Sequence, residues 1–320
     1  MAIYGKEGNG MITFFQAGKV SKRIRKAQKV NGLKAIAICG AVLLALLSPV
    51  SQLDSCVQAA KEGSQASSYE TETIHFQSSM NYAQNSKINS GTATLYKVGK
   101  KSAKNITVCI NAGHGTSGGE RYKTLCHPDG TPKVTSGSTA AGAIEATAVS
   151  GGTTLLDGTP EAEATLQTSL VIRDTLLKKG YHVLMIRETS DVQLDNIART
   201  LIANEYADCH LAIHYDSTTN DGGAFFCSVP SIASYRNMEP VKSHWEEHNR
   251  LGNSIIEGFR SMGLPVRGNG SLEMDLTQTS YSTIPSIDIE VGDRASDHSQ
   301  ATLQRKAEAI AAGLDLFFRQ

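Results

Sequence analysis

The run Ile106–Gly115, with the sequence ITVCINAGHG, is a short apolar segment that ends in a histidine between two glycines. Its length and its β-branched residues predict a buried strand. Downstream, Thr159 as the cap, Pro160 in the first turn and a stop at Gly180 predict a helix over 160–179. The same reasoning predicts further strands over 182–187, 210–214, 223–229 and 284–291, and further helices over 194–204, 241–262 and 301–318. Because strands alternate with helices, the sequence predicts an α/β fold with a mainly parallel central sheet flanked by helices.

Three polar side chains lie at the carboxyl ends of predicted strands, where sites assemble in sheets of this kind. His114 follows the first strand, His214 ends the strand over 210–214, and Glu290 lies near the end of the last strand. The glycines beside His114 allow the backbone to approach a metal or a substrate closely. Two imidazoles and a carboxylate are the mixture that leaves zinc an open fourth position. The sequence therefore predicts a catalytic metal site at this edge of the sheet.

Five short motifs, in order along the chain, resemble the zinc-dependent N-acetylmuramoyl-L-alanine amidases of the AmiC-like (amidase type 3) family. They are Ile110–Gly115, Glu161 with Leu166 and Gly180, Arg187 with Asp191, Leu194, Arg199 and Ala203-Asn204, Ala212–His214, and Ile284–Ser286 with Glu290 and Gly292. Each motif is weak alone, but the five share the order and the spacing of the family. The resemblance covers residues 106–318.

The resemblance implies a phosphorylase/hydrolase-like zinc amidase fold and hydrolysis of the amide bond between N-acetylmuramic acid and L-alanine in bacterial peptidoglycan. It implies Zn²⁺ ligands at His114, Glu161 and His214, with Glu290 as the catalytic carboxylate. Helical phase does not separate Glu161 from Glu163, so the family spacing alone selects Glu161. Two other functions stay open: a catalytically inactive wall-binding scaffold or activator, and a zinc peptidase that cuts within the stem peptide.

A second metal-binding pattern occurs at His244–His248, where HWEEH fits the inverted zincin motif and places both imidazoles on one face of a helix. Such short patterns arise by chance on polar helix faces. We expect this segment to be a solvated face near the substrate groove.

The stretch 115–160 is longer than a typical connection and is rich in Gly, Thr, Ser and Ala. We expect an inserted loop that acts as a lid, a substrate-selecting loop or an autoinhibitory plug, with Glu145 as a candidate cap on the metal.

Two residues in or beside the motifs depart from the family pattern. Asn111 stands where an acidic residue is common, and Asp293 stands where an aromatic residue is usual.

Residues 1–59 have the features of an export leader. A basic segment precedes the apolar run Ala35–Leu47, which is too short to cross a bilayer comfortably but is typical of the centre of a signal peptide. Val57–Ala59 offers the small-x-small cleavage pattern. A cleaved signal peptide and a membrane anchor through residues 33–50 both stay open, and either one predicts a secreted or cell-envelope protein.

The remaining composition sets the domain limits and the partners. Residues 60–104 are rich in Ser, Gln, Asn, Thr and Lys, which predicts a disordered tether, and the catalytic domain is predicted over 105–320. The 31 basic and 31 acidic residues balance, so the expected partner is peptidoglycan and not nucleic acid. Cys109, Cys126, Cys209 and Cys227 follow the leader and could pair in an exported protein, but most of them lie in apolar runs, so we predict free buried thiols.

Overall fold

The structure is a computed structural model that describes residues 69–319. The leader predicted over 1–59, with its anchor alternative through 33–50, lies outside the described residues. Among the residues that are described, no helix is long and apolar enough to cross a membrane.

The described chain contains ten strands and six α-helices. The strands are β1 (Tyr69–His75), β2 (Thr92–Val98), β3 (Thr107–Ala112), β4 (Lys123–Leu125), β5 (Glu145–Thr147), β6 (His182–Met185), β7 (Cys209–Asp216), β8 (Ala224–Ser228), β9 (Val266–Glu273) and β10 (Ser286–Asp293). The helices are α1 (Glu161–Lys178), α2 (Asn196–Tyr206), α3 (Ala233–Arg236), α4 (Val241–Ser261), α5 (Thr277–Tyr281) and α6 (Gln300–Arg319). Each element that the sequence predicts is present, with its ends within two residues of the predicted ones.

Eight strands form the central sheet in the order β1-β2-β6-β3-β7-β10-β8-β9. The four central strands, β6, β3, β7 and β10, are parallel to one another. On one side β2 pairs antiparallel with β6 and β1 with β2, and on the other side β8 pairs antiparallel with β10. The predicted α/β fold with a mainly parallel sheet is therefore confirmed.

Helices cover both faces of this sheet. On one face, α1, α4 and α6 pack against β3, β7 and β10 in the largest hydrophobic cluster, which includes Ile172, Ile255, Ile310, Ile213 and Ile289. On the other face, Ala198 and Ile202 of α2 pack against Cys109 and Leu184. Burying each large aliphatic side chain contributes roughly 1.5–3 kcal/mol, so these two layers fix the position of the strand ends.

The prediction of a disordered tether over 60–104 is wrong for residues 69–98. This segment forms β1 and β2, and Ile74 of β1 and Ala93 and Leu95 of β2 are buried. Strand β1 lies at the edge of the sheet with nearly all of its side chains exposed, so its composition is that of a polar linker although its backbone is paired. The predicted helix cap at Thr159 is also wrong, since Pro160 is the N-cap residue and no side chain caps the helix.

Candidate active site

His114, Glu161 and His214 come together at the carboxyl edge of the parallel strands. His114 follows β3, Glu161 is the first residue of α1, and His214 lies on β7. Nε2 of His114 lies 2.8 Å from Oε1 of Glu161, and Nδ1 of His214 lies 3.1 Å from both of these atoms. The three side chains form a group able to hold a metal ion. Glu163, the alternative that helical phase leaves open, is instead exposed and bonded to Gln167.

Backbone geometry brings the two imidazoles together. The pleat of β7 directs Leu211 and Ile213 into the core, so that His214 points to the opposite face. Its ring lies against Gly113, where any Cβ would overlap it. His114 itself adopts the left-handed conformation, with φ of 64°, as the chain turns out of β3. A glycine next to the first histidine is therefore required by the close approach of the second.

The end of the 115–160 insertion holds the same side chains in place. Nδ1 of His114 donates to the carbonyl of Ser150 at 2.8 Å, which leaves Nε2 free for a metal ion. The amide of Thr153 donates to Oε2 of Glu161 at 2.8 Å, and Gly152 has φ of 81° and lies against both side chains. The insertion is thus a structural part of the site.

The charges in the cluster suit a cation. Burial alone raises the pKa of Glu161, but hydrogen bonds from His114 and His214 hold that pKa well below its usual range. Burial opposes the charged form of His214, yet the carboxylates of Asp288 and Glu161 raise its pKa to about 10, so a metal ion that binds this ring displaces a proton from it. An ionised carboxylate and two converging imidazole nitrogens are a donor set that zinc prefers, so these residues fit the metal that the family resemblance implies.

Glu290 lies beside this cluster on β10. Ile287, Ile289 and Val291 of that strand enter the core, so Glu290 points to the same face as His214, with which it is in register. Its Oε2 is buried and has no hydrogen-bond partner among residues 69–319. Burial raises the pKa of Glu290 well above its usual range; His214 opposes this shift, and Asp288 and Glu161 add to it.

A cleft of about 750 Å³ opens over these groups. The insertion forms one wall through Lys133 and residues 137–139, and the segment 272–278 contributes another part of the lining. This volume lies in the usual range of ligand-binding clefts.

A buried carboxylate ties the insertion to the body of the protein. Asp275, just before α5, accepts hydrogen bonds from His127 Nε2 at 3.0 Å, from the amide of Val134 at 2.8 Å and from the amide of Thr135 at 3.0 Å. It also forms an ion pair with Lys133 at 3.0 Å. These contacts hold the insertion in a fixed position beside the cleft.

The candidate metal cap within the insertion does not reach the metal site. Glu145 lies exposed on β5, where it pairs with Leu125, and it does not belong to the metal-binding group.

The HWEEH segment forms no metal site. His248 is buried and its Nδ1 accepts a hydrogen bond from the amide of Ser286 at 3.0 Å, while Nδ1 of His244 is bonded to the carbonyl of Pro240. The expectation of a solvated face is therefore wrong for His248, because α4 packs this residue against β10. Within residues 69–319, only His114, Glu161 and His214 form a metal-binding group.

The departures from the family pattern have structural roles. Oδ1 of Asn111 accepts a hydrogen bond from Arg199 at 3.0 Å and so supports a neighbouring buried arginine and not the metal ligands directly. Asp293 is buried and accepts hydrogen bonds from the amide of Asn220 and the hydroxyl of Thr218, which fixes the loop after β7.

The prediction of free buried thiols is confirmed for Cys109, Cys126, Cys209 and Cys227.

Asp288 is the residue of this site that the sequence reasoning missed. It lies two residues before Glu290 on the same face of β10, in register with Ala212, and it lines the cleft. The alternation of polar and apolar residues in Ser286–Val291 carried the signal, since it places Asp288 and Glu290 on one face.

Comparison with known proteins agrees with this geometry. The sequence model of the N-acetylmuramoyl-L-alanine amidase family matches residues 108–315. The fold is similar to that of the N-acetylmuramyl-L-alanine amidase Ami1 from Mycobacterium smegmatis, with a TM-score of 0.54, 19% identity, and coverage of 68% of this chain and 98% of that one. It is also similar to Ami1 from Mycobacterium abscessus, with a TM-score of 0.51, 19% identity, and coverage of 67% and 99%. No curated protein sequence matches the chain. Because the family model covers more than half of the sequence and the fold agrees, the chain belongs to the N-acetylmuramoyl-L-alanine amidase family and is a peptidoglycan amidase.

Proposed function

We propose that the protein hydrolyses the amide bond between N-acetylmuramic acid and L-alanine of peptidoglycan, using zinc held by His114, Glu161 and His214. The observation that carries this proposal is the convergence of three donor atoms beside a buried carboxylate, Glu290, in an open cleft. A wall-binding scaffold has no need of this arrangement.

The protein's own groups prepare the site for a metal ion. The Ser150 carbonyl fixes the proton of His114 on Nδ1, and the Thr153 amide fixes Oε2 of Glu161, so that Nε2 and Oε1 face the centre of the cluster. When zinc is bound there, it supplies an activated water at neutral pH and polarises the scissile carbonyl.

Glu290 is the proposed catalytic residue. Its unpartnered Oε2 accepts the proton of the attacking water and then delivers it to the nitrogen of L-alanine as the amine departs. Burial raises the pKa of this carboxyl, which makes its ionised form a stronger base than an exposed glutamate.

The substrate lies outside the cytoplasmic membrane, so the proposed function requires export through the leader at residues 1–59. N-terminal sequencing of the exported protein should begin near residue 60 if the leader is cleaved and at residue 1 if it is an anchor. Recovery of all of the protein in the cytosol would contradict the proposed location.

Product analysis tests the proposed bond. Digestion of purified peptidoglycan, followed by mass spectrometry, should yield intact stem peptides with a free L-alanine amino group and glycan strands with unsubstituted lactyl groups. Shortened stem peptides would instead identify a peptidase. Binding to peptidoglycan without any released peptide would identify a scaffold.

A further inference from the structure

The second nitrogen of each ligating histidine needs a partner that orients the ring. A metal-bound imidazole usually donates its other N–H to a carbonyl or a carboxylate, which fixes both the tautomer and the direction of the lone pair. His114 meets this need through the Ser150 carbonyl. His214 directs Nδ1 to the metal-binding cluster, so its Nε2 requires a partner on the far side of the ring.

Asp288 lies on that far side. Its Oδ2 is 3.6 Å from Nε2 of His214, the separation of an ion pair and longer than a hydrogen bond. Among residues 69–319, Nε2 of His214 has no hydrogen-bonding partner, and the other oxygen of Asp288, Oδ1, is buried without one. A carboxylate in such a place is costly unless a cation faces it.

Within the described part of the chain, the side chains around Asp288 offer its carboxylate a single interaction partner. Its neighbour on the same face of β10, Glu290, is a second carboxyl group that offers it no cation, and Ala212 opposite it on β7 offers no polar side chain. The Nε2 edge of the His214 ring is the nitrogen edge within ion-pair distance of Asp288. The contact therefore acts on the ring that also faces the metal.

We propose that Asp288 is a positioning residue of the metal site: its carboxylate holds the Nε2 edge of the His214 ring, so that Nδ1 points at the metal ion. The inference rests on the proposed zinc site and adds a residue to it. Asp288 does not bind the metal and does not exchange protons with the substrate.

Zinc affinity and ligand geometry test this role separately from activity. In the purified full chain, competition with a chromophoric chelator should show zinc binding weakened about 10- to 100-fold by Asp288→Ala, which is the usual cost of losing such a partner. Asp288→Asn should lose less, because its amide oxygen still presents a partial negative charge to the Nε2 edge of the ring. Cobalt(II) in place of zinc should show altered absorption bands in Asp288→Ala, since ring orientation changes the ligand field.

The matched control is Asp216→Ala. Asp216 also lines the cleft and lies two residues from His214, but its carboxylate bonds Thr218 and Arg267. This variant should keep the affinity and the cobalt spectrum of the wild type. Thermal unfolding of the metal-free variants checks folding, and Asp288→Asn replaces Asp288→Ala if the latter does not fold.

Three results would overturn the inference. Wild-type zinc affinity and cobalt spectrum in both Asp288 variants would show that the contact with His214 has no effect on the metal site. A loss of zinc affinity as large as that of His214→Ala would show that Asp288 is itself a ligand. An equal loss in Asp216→Ala would show that any nearby negative charge has the same effect. If instead the wild-type protein binds no zinc, the proposed metal site itself fails, which is a distinguishable outcome.

Discussion

The substitution Glu290→Gln separates metal binding from catalysis. Glutamine keeps the size of the side chain and its hydrogen-bonding reach but cannot accept a proton. Because Oε2 of Glu290 has no hydrogen-bond partner among residues 69–319, an amide at this position breaks no bond at that atom and should leave the fold intact. None of the contacts among His114, Glu161 and His214 involves Glu290, so the metal site should survive the change.

The expected loss follows from the role of the lost group. General acid–base catalysis contributes about 10²- to 10⁴-fold to a rate. At about 1.36 kcal/mol for each factor of ten, this corresponds to roughly 2.7–5.4 kcal/mol of lost transition-state stabilisation. Oε2 of Glu290 has no partner among the described residues, so no neighbouring side chain is bonded there to take over the transfer. We therefore expect a loss of at least about a hundredfold.

The assay compares wild type and Glu290→Gln at equal zinc content, measured by metal analysis. Release of free stem peptide is followed by chromatography, and binding to insoluble peptidoglycan by sedimentation. The variant should retain zinc and wall binding while turnover falls. Unchanged turnover in the zinc-loaded variant would refute the catalytic role of Glu290, and loss of zinc would show that Glu290 supports the metal.

The other predictions concern the ligands, the glycine beside them and the anchor of the insertion. His114→Ala and His214→Ala should each lose zinc by metal analysis, and full retention in both would exclude the site. Gly152→Ala would place a methyl group 2.8–2.9 Å from atoms of His114 and should weaken zinc binding. Gly158→Ala is the control: it imposes a similar strain of roughly 1–2 kcal/mol on a left-handed backbone, but the added methyl group meets open space, so the variant should bind zinc normally. Burial raises the pKa of Asp275 but its hydrogen bonds hold that pKa below the ordinary value, so its contribution to stability is present above about pH 4 and is lost as the pH falls through the folded-state pKa. Asp275→Asn should therefore lower the free energy of unfolding by about 3–5 kcal/mol at pH 7 and by less in acid. Thermal melts at pH 7 and in acid that show the same loss of stability would contradict this.

The core of the fold was predictable because hydrophobic pattern and topology agree there. β3 and β7 are largely apolar and β10 alternates apolar and polar residues, and the parallel order β3-β7-β10 brings His114, His214 and Glu290 to one edge. The edge strand β1 was not predictable from composition, since six of its seven side chains are exposed and its stability comes from pairing with β2.

The details of the site depend on long-range contacts that spacing does not encode. Helical phase does not choose between Glu161 and Glu163, whereas the folded start of α1 buries only Glu161. Asp275 accepts hydrogen bonds from residues in 127–135 and so fixes part of the Gly- and Thr-rich insertion, whose sequence alone resembles that of a free loop. The role inferred for Asp288 depends on which nitrogen of the His214 ring faces its carboxylate, and only the folded structure shows that orientation.

The proposed activity is zinc-dependent cleavage of the muramoyl–alanine bond, with the ion held by His114, Glu161 and His214. Its most direct test is titration of the metal-depleted protein with zinc while the release of L-alanine-terminated stem peptide is measured. We predict no release without metal, a rise with added zinc, and a plateau at about one ion per chain. Full activity in the metal-depleted protein, or no activity at any zinc concentration, would contradict the account.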